Sequence, residues 1–302
     1  MFGGGKRASL LAATAVALCV AASIQPAVSR GERAGRRTAL PSVLHLVDKS
    51  RKIRLPDGRE VSRPVTTYLW YPPSADHAPW PLVVFGHGFA TTPFRYRRLL
   101  RAWAAAGYVV AAPLFPLGNA HVPGGPDESD IVNQPRDIGF VISRLLAASA
   151  SPASPLHGLV DGARIAVAGQ SDGAETAFAT AFQRPWHDRR VRAAVILSGA
   201  ELGGHVRLVS HTTPLLAVQG TADRINPPIY TDELFRAVRR PKFLLLLRHA
   251  GHLGPYTVPG ARLAAVERVS IAFLDHYLGT GDLGAIAHAA ARFRSDTLTS
   301  EP

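Results

Sequence analysis

The sequence predicts one α/β domain whose mostly parallel central sheet is covered by helices on both faces. Its 302 residues are enough for one large domain or two small ones. Several apolar runs lack the alternation of half-exposed strands, which is typical of strands buried on both faces. Segments with helical periodicity separate these runs, as in folds that join parallel strands by crossover helices.

The composition favours a folded domain without a nucleic-acid role. Hydrophobic residues make up 47% of the chain and charged residues 19%, which argues against disorder. The formal net charge is +12, carried mostly by arginine. The arginines are scattered and no basic stretch alternates with aromatic residues. We therefore interpret them as a solvated surface and expect no nucleic-acid partner.

The N-terminal segment has the pattern of a secretory signal peptide. Lys6 and Arg7 precede an apolar stretch at 8–24, and the small residues Ala27 and Ser29 offer a cleavage site. The alternative is an uncleaved membrane anchor, but this stretch is near the lower length limit for a span and is rich in alanine. We therefore predict a signal peptide, a secreted protein and no stable membrane span in the mature chain.

These patterns divide the chain into a signal peptide at 1–29, a flexible linker at 30–42, a folded domain at 43–282 and a C-terminal tail at 283–302. The linker is charged and lacks apolar periodicity. The only cysteine, Cys19, lies in the signal peptide, so the mature chain would have no disulfide and its stability would come from the core. We expect a monomer.

The first predicted elements are two β-like runs, SVLHLV and PVTTYLWY, and a buried strand in PLVVFGHGF. Thr92 can cap the helix that follows, and Pro93 suits its first position. One face of this helix is apolar at helical spacing and comprises Tyr96, Leu99, Leu100 and Trp103. Gly107 ends the helix, and YVVAAP is the next buried strand.

The second half of the domain repeats this order. A Gly/Pro-rich loop at 116–126 leads to a long helix at 128–149, and a final helix is expected at 260–278. Further strands are predicted in ARIAVAG, VRAAVILSG, PLLAVQG and KFLLLLRHAG, and another helix begins in AETAFATAF. Chemistry in such sheets is expected in the loops after the carboxyl ends of the strands.

The stretch GQSDG places Ser171 where a buried strand meets a helix. This is the G-x-S-x-G pattern in its required strand–turn–helix context. The turn is tight enough that residues 169 and 173 must lack bulky side chains, and it points the serine hydroxyl out of the sheet. An ordinary strand-to-helix turn is the alternative, because glycine and serine are common.

Loops after other strands supply partners for this serine. Phe89 follows the strand in PLVVFGHGF, and its backbone N–H could join that of Asp172 in an oxyanion hole. His87 is interpreted as structural, because it precedes the serine. Asp223 and His252 follow the two strands after Ser171, which completes the order nucleophile, acid, base.

Other residues compete less well for these roles. Asp161 precedes a strand and Asp232 falls inside a predicted helix, whereas His249 is a second choice for the base. No metal or cofactor is expected, because the twelve histidines form no H-E-x-x-H or comparable cluster. The G-x-G-x-x-G of residues 279–284 follows a helix instead of a strand, so we interpret it as a helix-ending turn.

The chain resembles the α/β-hydrolases, and within them the branch of platelet-activating factor acetylhydrolases, dienelactone hydrolases and bacterial polyester hydrolases. The similar stretches, which span roughly residues 65 to 280, are VVFGHGF, GYVVAAPLFP, RDIGFVISRLL, RIAVAGQSDG, LLAVQGTADRINPP and HAGHLGP. The resemblance implies a triad of Ser171, Asp223 and His252, with oxyanion donors at Phe89 and Asp172. It also implies an ester substrate, such as a lipid, a polyester or a small molecule.

Few residues separate ILSGA from TPLLAV, so we expect no large lid domain and a fairly open site. Two other functions remain open. An acyltransferase could use the same triad with an alcohol in place of water, and a secreted binding protein could use the scaffold without catalysis. Reaction of Ser171 with a fluorophosphonate probe would separate catalysis from binding.

The side chain of Asp172 allows two interpretations. It could turn away and cap its own helix, where a carboxylate is favourable, and we favour this one. It could instead face the acyl pocket and select substrates that carry a positive group. Its charge would then oppose the developing oxyanion.

Overall fold

The computed structural model describes residues 41–302 except 56, 73–76, 203–207, 210–211 and 294–295. The predicted signal peptide and nearly all of the predicted linker lie outside the described residues. Among the described residues, no helix combines the length and apolarity needed to cross a membrane.

One nine-stranded sheet forms the centre of the molecule. Its strands in chain order are β1 Ser42–Arg54, β2 Glu60–Trp70, β3 Trp80–Gly86, β4 Val109–Pro113, β5 Val160–Gln170, β6 Val191–Leu197, β7 Leu215–Gly220, β8 Lys242–Leu247 and β9 Thr297–Glu301.

Seven α-helices and two 3-10 helices connect these strands. The α-helices are α1 Arg97–Ala105, α2 Gln134–Ala150, α3 Asp172–Phe182, α4 Pro228–Ala237, α5 Gly254–Thr257, α6 Ala261–Leu278 and α7 Gly284–Ala291. The 3-10 helices are Pro93–Tyr96 and Glu128–Asn133. These counts refer to the described part of the chain.

The strands are ordered β1-β2-β4-β3-β5-β6-β7-β8-β9 across the sheet. The six from β4 to β8 pair in parallel, while β1, β2 and β9 pair antiparallel at the two edges. This mixed, mostly parallel sheet confirms the predicted fold class. The carboxyl ends of β3, β5, β7 and β8 consequently lie at one edge of the sheet, where side chains from their following loops can meet.

Helices cover both faces of the sheet and divide the core in two. On one face, Trp103 of α1 and Phe273 of α6 are fully buried. On the other face, Ile142 of α2 and Phe178 of α3 are also buried almost completely. Because both faces are covered, the central strands have continuous apolar sequences. This explains why the sequence pattern predicts them as buried strands.

Several elements differ from the sequence-based expectation. The run SVLHLV is the start of a longer strand, β1, which forms a hairpin with β2. The helix expected at 128–149 is a 3-10 helix followed by α2, and Pro135 lies in the first turn of α2. The capping role expected of Thr92 is wrong in detail, because Thr92 occupies the cap position without a side-chain capping bond.

The C-terminal boundary predicted at residue 282 is too early. Residues 283–302, expected as a tail, contain helix α7 and strand β9, which pairs with β8. Ile286 of α7 is fully buried in the core. The preceding G-x-G-x-x-G stretch ends α6 as expected, and the Gly281 N–H donates to the Asp275 carbonyl at 2.9 Å.

Candidate active site

Ser171 occupies the sharp turn between β5 and α3. Its φ of 56° and ψ of −127° lie outside the regions that serine ordinarily adopts. Such a conformation costs about 1–3 kcal/mol and persists only where the surrounding structure holds it. The Ser171 N–H donates to the Leu197 carbonyl at 3.0 Å, which fixes the turn against β6.

Backbone contact on both sides of this turn explains its two glycines. A Cβ atom on Gly169 would lie 1.9 Å from the Gly173 carbonyl oxygen. A Cβ atom on Gly173 would lie 2.1 Å from the Gly86 carbonyl oxygen. The strands β3 and β5 thus approach the first turn of α3 too closely for any side chain, and this contact sets the position of Ser171.

The structure brings Ser171, His252 and Asp223 together in one hydrogen-bonded relay. The distance from His252 Nε2 to Ser171 Oγ is 2.9 Å, and that from His252 Nδ1 to Asp223 Oδ2 is 2.8 Å. Asp223 follows β7 and His252 follows β8, so both reach the edge of the sheet at which β5 ends. A hydroxyl, an imidazole and a carboxylate in this order can activate the hydroxyl as a nucleophile.

Asp223 is held in its ionised form. Burial favours its neutral form, but hydrogen bonds from His252 and from the N–H groups of Ile225 and Asn226 outweigh burial and lower the pKa of Asp223. The two N–H groups donate to Oδ1 at 3.0 Å each, which leaves Oδ2 for His252. This carboxylate can therefore orient the imidazole and stabilise its protonated form.

The competing residues lie elsewhere. His249 is exposed, and its backbone N–H donates to Thr221 Oγ1 at 2.9 Å. Asp161 lies at the opposite end of β5 from Ser171 and pairs with Arg164 at 2.6 Å. Asp232 pairs with Arg236 within α4 at 2.8 Å.

The loop from His87 to Phe89 lies beside Ser171. A Cβ atom on Gly88 would approach Ser171 Cβ to 3.2 Å, which puts the N–H of the next residue, Phe89, close to Ser171. Asp172 is the first residue of α3, so its N–H has no intrahelical acceptor. These are the two backbone groups that the sequence suggested as oxyanion donors.

His87 holds this loop in place. Its Nε2 accepts a hydrogen bond from the Phe115 N–H at 3.1 Å, so Nδ1 carries the proton and donates to the Gly88 carbonyl at 2.9 Å. Burial disfavours the charged imidazole and lowers the pKa of His87 to about 4. A neutral, buried histidine with both nitrogens bonded to backbone has a structural role, as the sequence order suggested.

Sequence reasoning did not identify Gln170 and Tyr96 as site residues. Their side chains connect the loop at Gly88 to the loop at His252. Tyr96 accepts from the Gly88 N–H at 3.2 Å and donates to Gln170 Oε1 at 2.6 Å. Gln170 Nε2 in turn donates to the His252 carbonyl at 3.1 Å. The only sequence signal for a role in the site is the position of Gln170 directly before Ser171. Tyr96 has no such signal, because it fits the apolar face of a predicted helix.

The expected capping of α3 by the Asp172 side chain does not extend beyond the N–H group of Asp172 itself. The N–H groups of Ala174 and Glu175, next in the first turn of α3, donate to the Ser171 carbonyl at 2.7 and 3.0 Å. Within the described residues, Asp172 Oδ2 is buried without a hydrogen-bond partner. The backbone thus satisfies these two donors, and Asp172 Oδ2 is left without a partner.

A comparison with protein families identifies the chain. The profile of the chlorophyllase family matches residues 47–207, more than half of the sequence. The chain belongs to the chlorophyllase family. It is therefore a carboxylic-ester hydrolase of the α/β-hydrolase superfamily, which confirms the resemblance stated from the motifs at the level of the superfamily.

Solved structures agree with this chlorophyllase-family fold. The ferulic acid esterase from Streptomyces cinnamoneus superimposes with a TM-score of 0.65 over 87% of this chain and 99% of its own, at 23% sequence identity. At that identity the similarity shows the fold alone. No curated protein matches the sequence.

Proposed function

We propose that this chlorophyllase-family chain hydrolyses carboxylic esters through an acyl-enzyme intermediate on Ser171. The observation that carries the proposal is the continuous relay from Asp223 through His252 to Ser171, with bonds of 2.8 and 2.9 Å. In the first step His252 Nε2 takes the Ser171 proton while Oγ attacks the ester carbonyl. The tetrahedral intermediate then collapses, and the alcohol leaves with the proton from His252.

Water completes the reaction. His252 removes a proton from a water molecule that attacks the acyl-enzyme carbonyl, and the carboxylic acid is released as Ser171 regains its proton. In both steps the N–H groups of Phe89 and Asp172 stabilise the oxyanion, and the loss of one such donor generally costs about 3–4 kcal/mol of transition-state stabilisation. The chain's own residues supply every group in this scheme.

A fluorophosphonate probe tests the proposal directly. We expect the probe to label the wild-type protein at Ser171 and to abolish hydrolysis of a p-nitrophenyl ester. The variant Ser171→Ala should fold, escape labelling and lose turnover by about a thousandfold or more. Turnover near the wild-type level in the folded variant would refute the serine mechanism.

Export of the protein is also part of the proposal. Its support is the N-terminal pattern of Lys6, Arg7 and the apolar stretch 8–24 before the small residues Ala27 and Ser29. Mass spectrometry of protein collected outside the cytoplasm should find a chain that begins after Ser29. Exported protein that still carries Met1 would contradict cleavage.

A further inference from the structure

The Asp172 carboxylate contains a buried oxygen for which the site provides no donor. Asp172 is 6% exposed, and Oδ2 has no hydrogen-bond partner among the described residues. Buried carboxylates ordinarily accept hydrogen bonds or face a cation, because otherwise they lose hydration without compensation. The first turn of α3 bonds to the Ser171 carbonyl instead, so this oxygen lacks the compensation that the N–H groups of a helix N-terminus could provide.

Two further carboxylates lie close to Asp172. Glu175 is half-buried one turn along α3, and Glu128 begins the 3-10 helix of residues 128–133. In the described part of the chain, none of the three forms an ion pair with arginine or lysine. We call these three residues the acidic cluster.

Burial and neighbouring carboxylates raise the pKa values of Asp172 and Glu175. Burial and the Glu128 charge raise the pKa of Asp172 to about 6, against smaller opposing effects of its own N–H and of His252. Burial and the charges of Asp172 and Glu128 raise the pKa of Glu175 to about 8. Asp172 thus interacts electrostatically with the two other members of the acidic cluster and with the His252 imidazole.

The arrangement suits an organic cation better than a metal ion. A metal ion needs several ligands in tight, direct coordination. The described residues contain no group of three histidines, cysteines, aspartates or glutamates that could provide this. An ammonium group needs only a region of negative potential, which the buried Asp172 carboxylate and the exposed Glu128 supply at neutral pH, while Glu175 adds its charge above its pKa of about 8.

We propose that the acidic cluster binds a positively charged ammonium group in the acyl chain of an ester substrate whose carbonyl is attacked by Ser171. The proposal rests on the proposed function and adds a substrate class to it. Asp172 directly follows the nucleophile, so its carboxylate reaches only a charge that lies a few bonds from the carbonyl. Amino-acyl and trimethylammonio-acyl esters have this form.

A pair of matched esters tests the proposal. One is a p-nitrophenyl ester whose acyl chain ends in a trimethylammonium group, and the other is its uncharged isostere ending in a tert-butyl group. Wild-type protein should prefer the cationic ester. Asp172→Asn should lower kcat/KM for the cationic ester by about tenfold and raise it for the isostere, because a negative charge beside the oxyanion is removed. Equal changes for both esters would overturn the proposal.

Two more variants control for folding and net charge. Glu175→Gln removes a cluster charge only above the pKa of Glu175, about 8, so near pH 9 it should reduce the preference for the cationic ester in the same direction as Asp172→Asn. Asp161→Asn makes the matched chemical change at the far end of β5, beside Arg164, and should leave the preference as in wild type. An equal loss of preference in Asp161→Asn would show a net-charge effect and refute the cluster.

Binding measured without turnover separates this proposal from the hydrolase mechanism. In Ser171→Ala, calorimetric titration with tetramethylammonium should show binding that disappears when Asp172→Asn is added. Labelling of Ser171 without ammonium binding or charge preference would refute the acidic cluster and leave the mechanism intact. Ammonium binding without labelling of Ser171 would refute the mechanism alone.

Discussion

Two histidines only three positions apart, His249 and His252, have different surroundings. His252 joins Ser171 to Asp223, whereas the exposed His249 contacts Thr221 through its backbone. His252→Ala should therefore lower kcat for a p-nitrophenyl ester by about a thousandfold or more, because it removes the base of the proposed mechanism. His249→Ala should stay within about threefold of wild type, since residues outside the relay contribute little to the barrier.

Initial rates of both variants, measured after circular dichroism shows that they fold, check this prediction. A larger loss in His249→Ala than in His252→Ala would mean that the base has been assigned to the wrong histidine.

Glu175 makes stability fall as the pH rises. Its pKa is raised to about 8 in the folded protein by burial and by Asp172 and Glu128, so the folded state keeps a proton that the unfolded chain loses at lower pH. The stabilisation is present in full below about pH 4.5 and disappears as the pH rises through about 8. Glu175→Gln should be more stable than wild type by a few kcal/mol near pH 9, roughly one to three, and nearly equal to it near pH 4.

Chemical denaturation at the two pH values measures this difference. Glu233→Gln, an exposed position on α4, is the matched control and should show little change at either pH. A pH-independent effect of Glu175→Gln would mean that its carboxyl titrates normally.

The residues of the relay could be predicted because each carries a local signal. Ser171, Asp223 and His252 all follow buried strands in polar, glycine-containing loops. The acidic cluster carries no such signal, because Glu128 lies far from Asp172 in the sequence and neither belongs to a shared motif. Tyr96 likewise differs from an ordinary core residue only through its bonds to Gly88 and Gln170.

At the scale of elements, a buried ion-pair network fastens the 3-10 helix of residues 128–133 to the sheet. Arg63 of β2 bonds to both oxygens of Asp130 in that helix, at 2.8 and 2.7 Å, and to both oxygens of Asp137 in α2, at 2.7 and 2.6 Å. Burial opposes the charged guanidinium, but these bonds outweigh it and raise the pKa of Arg63. The segment that carries Glu128 is thereby held against β2 and the start of α2.

Arg63→Met should lower the free energy of unfolding by about 3–5 kcal/mol, because it leaves two buried aspartates without their main partner. Arg54→Met is the control. Arg54 reaches Glu60 at 4.0 Å with both side chains largely exposed, and exposed pairs contribute only about 0–1 kcal/mol. Urea titrations of both variants test this contrast. Similar losses of unfolding free energy in the two variants would show that the buried network stabilises the fold no more than an exposed ion pair does.

The sequence predicts the strands whose side chains form apolar runs, but it does not predict strand β9 or helix α7. The strands from β3 to β8 are apolar because both faces of the sheet are covered, so the sequence identifies them. Strand β9, with the sequence TLTSE, is mostly polar and lies at the edge, where backbone hydrogen bonds to β8 hold it. Helix α7 is rich in alanine and so shows no contrast between an apolar and a polar face. Its sequence therefore does not indicate an amphipathic helix.

At the scale of the whole molecule, the C-terminal segment is part of the domain. Shortening the chain after residue 282 would remove the fully buried Ile286 and uncover the edge of β8. Burial of one such side chain stabilises by about 1.5–3 kcal/mol, and an uncovered strand edge promotes association. The shortened protein should therefore melt at a temperature lower by several degrees, roughly five or more, and aggregate more readily.

Differential scanning calorimetry of the full and shortened chains tests this, with Ile286→Ala as a variant that keeps β9. An unchanged melting temperature in the shortened protein would restore the interpretation of this segment as a tail.

The spread of the relay along the chain has a consequence for biosynthesis. His252 lies 81 residues after Ser171, and its loop can reach the nucleophile only when β7 and β8 have joined the sheet beside β5 and β6. Under the proposed mechanism, Ser171 should therefore stay inactive on a nascent chain until almost the entire polypeptide has left the ribosome. Esterase activity during translation or refolding should consequently appear late and report completion of the fold.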